Sequence, residues 1–181
     1  MAHPHALVPG GSGMLAGVCI ELASRGWDVS VVGRDQAKLT SLSERGVGRI
    51  HPISTDYQHP KAFLADIQKA IARFGQPALT IAWIHSGNDD VVQGLLDLCR
   101  EGGSRPVFIH VLSSSQWTQR ETIEFDTFLD AGGIDYRRVY LGWVEENNAR
   151  RWLTHEEICR GVLDAIHVEA SVQVVGTLDE H

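Results

Sequence analysis

No apolar run among the 181 residues approaches the roughly 20 consecutive residues that a membrane-spanning helix needs. The stretch from Met1 to His5 has neither the basic nor the apolar region of a secretion signal, so a cytoplasmic protein is expected. The net charge is −7, and Lys and Arg cluster only in the pairs Arg137-Arg138 and Arg150-Arg151. A nucleic-acid partner is therefore not expected, and neither is a membrane partner. Cysteine is scarce. Cys19, Cys99 and Cys159 lie far apart, each within a helical pattern, and read as small core residues of a reduced protein. The nine histidines show no ligand spacing, so no bound metal is expected. Linkers, internal repeats and low-complexity segments are missing too, which points to one domain over residues 1–181 with a sizeable core.

What is present begins at Ala6. The run Ala6-Leu-Val-Pro-Gly-Gly-Ser-Gly-Met-Leu-Ala16 is a short apolar strand, a glycine-rich turn and the start of a helix. Gly10, Gly13 and Ala16 give the spacing G-x-x-G-x-x-A. Such a turn lets a pyrophosphate approach the backbone and rest on the unpaired N–H groups of a helix N-terminus, where the dipole favours negative charge. Gly10, Gly11, Ser12, Gly13, Met14 and Leu15 are the candidate phosphate-facing residues.

Strand and helix patterns then alternate to the end of the chain. Met14, Leu15, Val18, Cys19 and Leu22 recur at helical spacing up to Gly26. Strands are predicted at Asp28–Gly33, Arg49–Ser54, Leu79–His85, Pro106–Leu112, Tyr136–Val144 and Ser171–Gly176. Helices are predicted at Gln36–Leu42 after Asp35 as N-cap, at Phe63–Phe74, at Val91–Cys99, at Thr122–Ala131, and after the capping box Thr154-His-Glu-Glu157. Repeated βα units imply an α/β protein: a Rossmann-like, doubly wound parallel sheet of about seven strands with helices on both faces.

Over nearly its full length the chain resembles the short-chain dehydrogenase/reductase family. The glycine turn resembles the family's extended or atypical variants. Gln76–Gly87 resembles the fourth strand with its Asn-Asn-Ala-Gly end, of which only Gly87 is kept. Leu112-Ser113-Ser114 resembles the end of the fifth strand, and Leu141-Gly142-Trp143-Val144 the Pro-Gly-x-Val turn, with Leu for Pro. The resemblance implies a nicotinamide dinucleotide cofactor. Arg34 follows the second strand, 21 residues after Gly13, and the strand-end position is Gly33 rather than an acid. An acid there accepts from a ribose 2′-OH, whereas an arginine suits a 2′-phosphate, so NADP is expected rather than NAD. The plainer alternative is a solvated arginine beside a helix cap. Asp56-Tyr57 resembles the pair that holds adenine, His85, Ser86 and Gly87 border the cofactor, and Gly142 and Val144 meet the nicotinamide carboxamide through their backbone.

The family's chemistry uses Tyr and Lys one helical turn apart: the tyrosine moves the proton that accompanies hydride transfer, and the lysine lowers its pKa. That pair is missing here. The lysines are Lys38, Lys61 and Lys69, and the family's tyrosine position falls near Asp126, Thr127 and Phe128. The literal match Tyr57-Gln-His-Pro-Lys61 lies at the adenine end and reads as coincidence, since Pro60 interrupts an open helix. Candidates for the proton route are Ser114, the best match to the family serine, His85 at the end of the fourth strand, and Tyr140 before the Leu-Gly-Trp turn. Each has a structural alternative: a turn serine, a histidine bonded to backbone, a core aromatic. Trp117, Trp143 and Trp152 either wall a substrate cleft or simply pack.

The expected function is an NADP-dependent oxidoreductase that acts on a small carbonyl or alcohol substrate through a non-standard proton donor, with homo-oligomerisation open. The rival is a non-catalytic NADP(H)-binding redox sensor or regulatory protein.

Overall fold

The computed structural model describes residues 3–102, 105–118 and 132–179. The predicted helix at Thr122–Ala131, and with it Asp126, Thr127 and Phe128, lies outside the described residues. Among these residues the strands are β1 (His5–Pro9), β2 (Asp28–Gly33), β3 (Ile50–Ser54), β4 (Leu79–Trp83), β5 (Val107–Ser113), β6 (Asp135–Leu141), β7 (Trp143–Glu146), β8 (Ala149–Trp152) and β9 (Val172–Val175). The helices are α1 (Ala16–Ser24), α2 (Gln36–Arg45), α3 (Pro60–Phe74), α4 (Asp89–Arg100), the short α5 (Ser114–Thr118) and α6 (His155–His167).

Seven strands pair in the order β3-β2-β1-β4-β5-β6-β9, every neighbour parallel. Parallel strands need helical crossovers, and these cover both faces of the sheet. On one face α1, α2 and α6 bury Val18, Cys19, Leu22, Leu39, Leu42, Ile158 and Val162 against Ala6, Val8, Val31, Ile81 and Val139. On the other, α3 and α4 bury Phe63, Ile67, Val91, Leu95 and Leu96 against Leu7, Ala82, Phe108 and Tyr140. The i, i+4, i+7 spacing of Phe63, Ile67 and Ala70 and of Ile158, Val162 and Ala165 puts each set on one helical face, which is why these helices pack as they do. The predicted doubly wound sheet of seven strands is the sheet observed.

Asp35 accepts from the Lys38 amide at 3.1 Å and starts α2. At α6, the Thr154 hydroxyl accepts from the Glu157 amide while the Glu157 carboxylate accepts from the Thr154 amide, the reciprocal capping box expected from the sequence. The other end of α6 is held by the buried Arg137 on β6, whose Nη1 donates to the carbonyls of Ala165 (2.8 Å), Ile166 (3.1 Å) and Val168 (2.8 Å). Its Nη2 pairs with Asp135, so Arg137 of the Arg137-Arg138 pair is a helix cap inside the fold.

The predicted sixth strand, Tyr136–Val144, divides. β6 stops at Leu141, and Trp143 opens an antiparallel hairpin, β7–β8, outside the main sheet. Asn147 and Asn148 form its two-residue turn with φ of 53° and 59°. Asparagine tolerates the left-handed conformation that such a turn needs, and this Asn-Asn step was the available signal for the hairpin.

Candidate functional site

The carboxyl ends of the seven parallel strands share one edge of the sheet, and strand order reverses between β1 and β4. Doubly wound folds take ligands at such a switch point. A cleft of about 330 Å³ opens there, lined by Gly10, Ser12 and Gly13 from the glycine turn, Gly33, Arg34 and Lys38 after β2, Thr55 and Tyr57 after β3, and Trp83 and His85 at the end of β4.

The glycine turn divides its amides between fold and cleft. The Gly10 amide donates to Val32 O (2.9 Å) and the Gly11 amide to Val8 O (3.1 Å), so both are spent on holding the loop to β1 and β2. The amides of Ser12 and Gly13, which line the cleft, make no close backbone hydrogen bond. They precede the uncapped N-terminus of α1, where orphan donors and the helix dipole combine to favour an anion. Gly10 has φ +78°, and a Cβ there would sit 2.5 Å from the Trp83 carbonyl. Around Gly13 a Cβ would meet nothing within 4 Å, so the backbone faces open space. Of the six predicted turn residues, Ser12 and Gly13 present their amides at the cleft, Gly10 and Gly11 shape the loop, and Leu15 is buried in the core with Met14 packed against it.

Positive charge collects on the same side. The Arg34 side chain is 64% exposed and its Nη1 lies 3.7 Å from Asp56 Oδ2. Lys38, one helical turn further along α2, reaches the same cleft; sequence reasoning passed over it, although Asp35 as N-cap would have placed it in the first turn beside Arg34. A Cβ on Gly33 would lie 2.5 Å from Ser12 Oγ, so an acid at that strand end would displace the serine. Asp56 is engaged twice, by Arg34 and by the Gln58 amide at 2.9 Å.

β4 ends at Trp83, two residues before the predicted end, which leaves His85 in an exposed loop with Ser86 and Gly87. His85 Nδ1 meets the Tyr57 hydroxyl at 2.7 Å, a contact across the cleft that the sequence did not announce. Tyr57 itself precedes α3, which begins at Pro60, so Tyr57 and Lys61 do not share a helix and the literal Tyr-x-x-x-Lys match is a coincidence.

The other half of the edge is built differently. Ser114 starts α5 and lines a small cavity of about 160 Å³ with Ser115, Trp117, Thr118, Trp143, Leu178 and Asp179. Ser113 Oγ lies 2.8 Å from Ser115 Oγ and donates to Gln116 Oε1 at 3.1 Å. His85 lines the larger cleft and Ser114 the smaller one, so these two candidates are not brought into one pocket. Tyr140, the third candidate, lines neither cavity. It is 1% exposed, with its ring 5.1 Å from that of Trp117 among the core residues of the α3–α4 face.

At Gly142 and Val144 the fold itself takes up part of the backbone. The Gly142 amide donates to Val175 O at 2.9 Å and is already committed. Val144 is held in the hairpin opposite Arg151, and its side chain lines a groove with Leu153, Arg160 and Gln173 on the α6 side. Trp143 lines the Ser114 cavity, while Trp152 lies outside the cavity, packed edge-to-face on Trp143 at 6.0 Å and 48% exposed. Among the described residues no group of His, Cys, Asp and Glu could hold a metal ion, and no helix is long and apolar enough to cross a membrane.

Seven parallel strands with helices on both faces, and a glycine turn at the switch point, define a Rossmann-like fold. Among solved structures that fold is shared with short-chain dehydrogenases/reductases. An Aeromonas hydrophila protein assigned to that family of oxidoreductases superposes with a TM-score of 0.76 at 19% identity, over 98% of this chain and 100% of the other. The short-chain dehydrogenase/reductase of Serratia marcescens gives 0.74 at 16% identity, over 97% and 98%. A metagenomic short-chain oxidoreductase, solved in complex with NADP, gives 0.66 at 18%, over 99% and 97%. No family model matches the sequence, and no curated protein matches it.

Proposed function

We propose that this chain binds NADP(H) at the β1–β4 switch point and works as a cytoplasmic oxidoreductase of the short-chain dehydrogenase/reductase type on a small carbonyl or alcohol. One observation carries the reading: Ser12 and Gly13, whose amides make no close backbone hydrogen bond, and the cations Arg34 and Lys38 line one cleft. Phosphate is the ligand chemistry that uses both features at once. The amides hold the pyrophosphate, Arg34 and Lys38 take the ribose 2′-phosphate, and Tyr57 and His85 border the adenine. Open space over Gly13 fits a backbone that a phosphate approaches closely.

When bound, the cofactor supplies or accepts hydride at its nicotinamide ring. The chain's part is to orient the substrate and move a proton at the carbonyl oxygen. His85 belongs to the adenosine half and Tyr140 is enclosed, which leaves Ser114, flanked by Ser115 and Thr118, as the hydroxyl for that oxygen. The same facts favour a second reading, an NADP(H)-responsive regulatory protein without turnover, because no lysine follows Lys69 in the sequence.

Calorimetric titration with NADPH and, separately, NADH tests the binding. NADPH is expected to bind at least about tenfold more tightly, a difference of about 1.4 kcal/mol. Gly13→Ala is expected to weaken binding of both while leaving thermal stability nearly unchanged, since a Cβ there enters the phosphate's space and meets no protein atom within 4 Å. Binding of neither dinucleotide by the unaltered chain removes the reading.

A further inference from the structure

The two halves of the ligand-binding edge differ in one respect. Over β1 to β4 the edge is an open cleft, and over β5, β6 and β9 it is crossed by the chain's own C-terminal segment. After β9 the backbone turns at Gly176 (φ +80°) and runs back along the carboxyl ends of the strands. Thr177 makes two backbone hydrogen bonds with Trp143, its carbonyl accepting at 3.0 Å and its amide donating at 2.8 Å. A Cβ on Gly142 would collide with the Thr177 carbonyl, so the strap lies directly on the turn after β6. Leu178 packs against the core of the α3–α4 face. The Asp179 carbonyl accepts from Trp117 Nε1 at 3.3 Å beyond the end of β5, and its carboxylate pairs with Arg150 at 2.7 Å.

A dinucleotide straddling a switch point lays one nucleotide over each side of the reversal. With its 2′-phosphoadenosine half beside Arg34, the nicotinamide half extends over β4, β5 and β6, toward the ground this strap covers. We infer that the chain recognises 2′-phosphorylated adenine nucleotides through the open cleft, and that Thr177–Asp179 competes with the nicotinamide half for the other side of the edge. The inference rests on the NADP(H) reading above. A strap that must open before full contact lowers apparent affinity by the fraction of molecules in which it is open. The nicotinamide half therefore adds little affinity while the strap is closed, and releasing the strap tightens the whole dinucleotide but not the adenosine fragment.

The test is calorimetric titration of the full chain, and of a full-length Thr177→Pro/Asp179→Ala variant, with NADPH and with adenosine 2′,5′-bisphosphate. The proline removes the amide that bonds Trp143, and the alanine removes the carboxylate that bonds Arg150. In the unaltered chain the two compounds are expected to bind within about threefold of each other, and in the variant NADPH is expected to tighten by about tenfold or more with the bisphosphate unchanged. Arg150→Ala, which leaves the strap's backbone intact, is expected to shift NADPH the same way by a smaller factor and keeps the question answerable if the double variant does not fold. NADPH binding far more tightly than the bisphosphate to the unaltered chain, or tightening equally with it in the variants, overturns the strap. Failure of the unaltered chain and the variants to bind either compound overturns the NADP(H) reading itself.

Discussion

Replacing Arg34 with alanine should separate the two nicotinamide dinucleotides. The side chain is 64% exposed, and its partner among the described residues, Asp56, stands 3.7 Å away. An exposed pair of that length contributes about 0–1 kcal/mol to folding, so the variant should melt within a few degrees of the parent. Toward a 2′-phosphate the same guanidinium makes charge-assisted, fork-shaped hydrogen bonds, each worth about 1.5–3 kcal/mol. Losing one such contact weakens NADPH about 10- to 150-fold. Lys38 remains in the cleft, so the low end of that range is expected and binding is not abolished. NADH has a 2′-hydroxyl in place of the phosphate and should change by less than about threefold. The assay is calorimetry with both cofactors at one fixed ionic strength, because surface charge is screened over about 10 Å at 0.1 M salt. Equal weakening of NADPH and NADH, or no change in either, would refute the placement of the 2′-phosphate at Arg34. A large drop in melting temperature would refute the premise that Arg34 is dispensable to the fold.

Two further predictions concern stability. Arg137→Leu leaves three carbonyls at the end of α6 and the Asp135 carboxylate without their donor. It should cost about 3–5 kcal/mol, read as a lower urea midpoint at unchanged slope, and a loss below about 1 kcal/mol would contradict the capping role. His110 is buried on β5 with Nδ1 2.8 Å from the Tyr136 hydroxyl, and burial, helped by the Arg138 charge, pushes its pKa down from 6.5 to about 4. The unfolded chain then binds the proton more readily than the native one, so stability is full above about pH 6.5 and is lost as pH falls toward 4. The loss is about 3 kcal/mol at one unit per 1.36 kcal/mol. His110→Phe should flatten that part of the melting-temperature profile, and an unchanged slope would show that the acid sensitivity lies elsewhere.

Local patterns made much of this protein legible from its residues in order. Val, Ile and Leu in short runs between glycines, alternating with i, i+4 stripes such as Phe63, Ile67 and Ala70, specify βα units, and successive βα units leave few topologies open. The glycine turn, Asp35 and the Thr154–Glu157 capping box are read within a few neighbouring residues, and each stands where its spacing put it. Arg34 was legible for the same reason, being one step past a strand end.

Tertiary structure decided whatever depended on partners distant in the chain. Which turn amides stay free was set by Val32 O capturing Gly10, 22 positions away. Tyr57 and His85 meet because β3 and β4 end on the same edge, although β2 and β1 lie between them in the sheet. Tyr140 and Leu141 are adjacent in sequence yet face opposite cores, because side chains alternate along a strand, and this encloses the phenol. The C-terminal strap reaches Trp117 across 62 positions. Sequence periodicity reports which face of an element is apolar; it does not report which hydrogen-bonding groups of that element are already spent, and in this protein that distribution separates the open half of the sheet's carboxyl edge from the covered one.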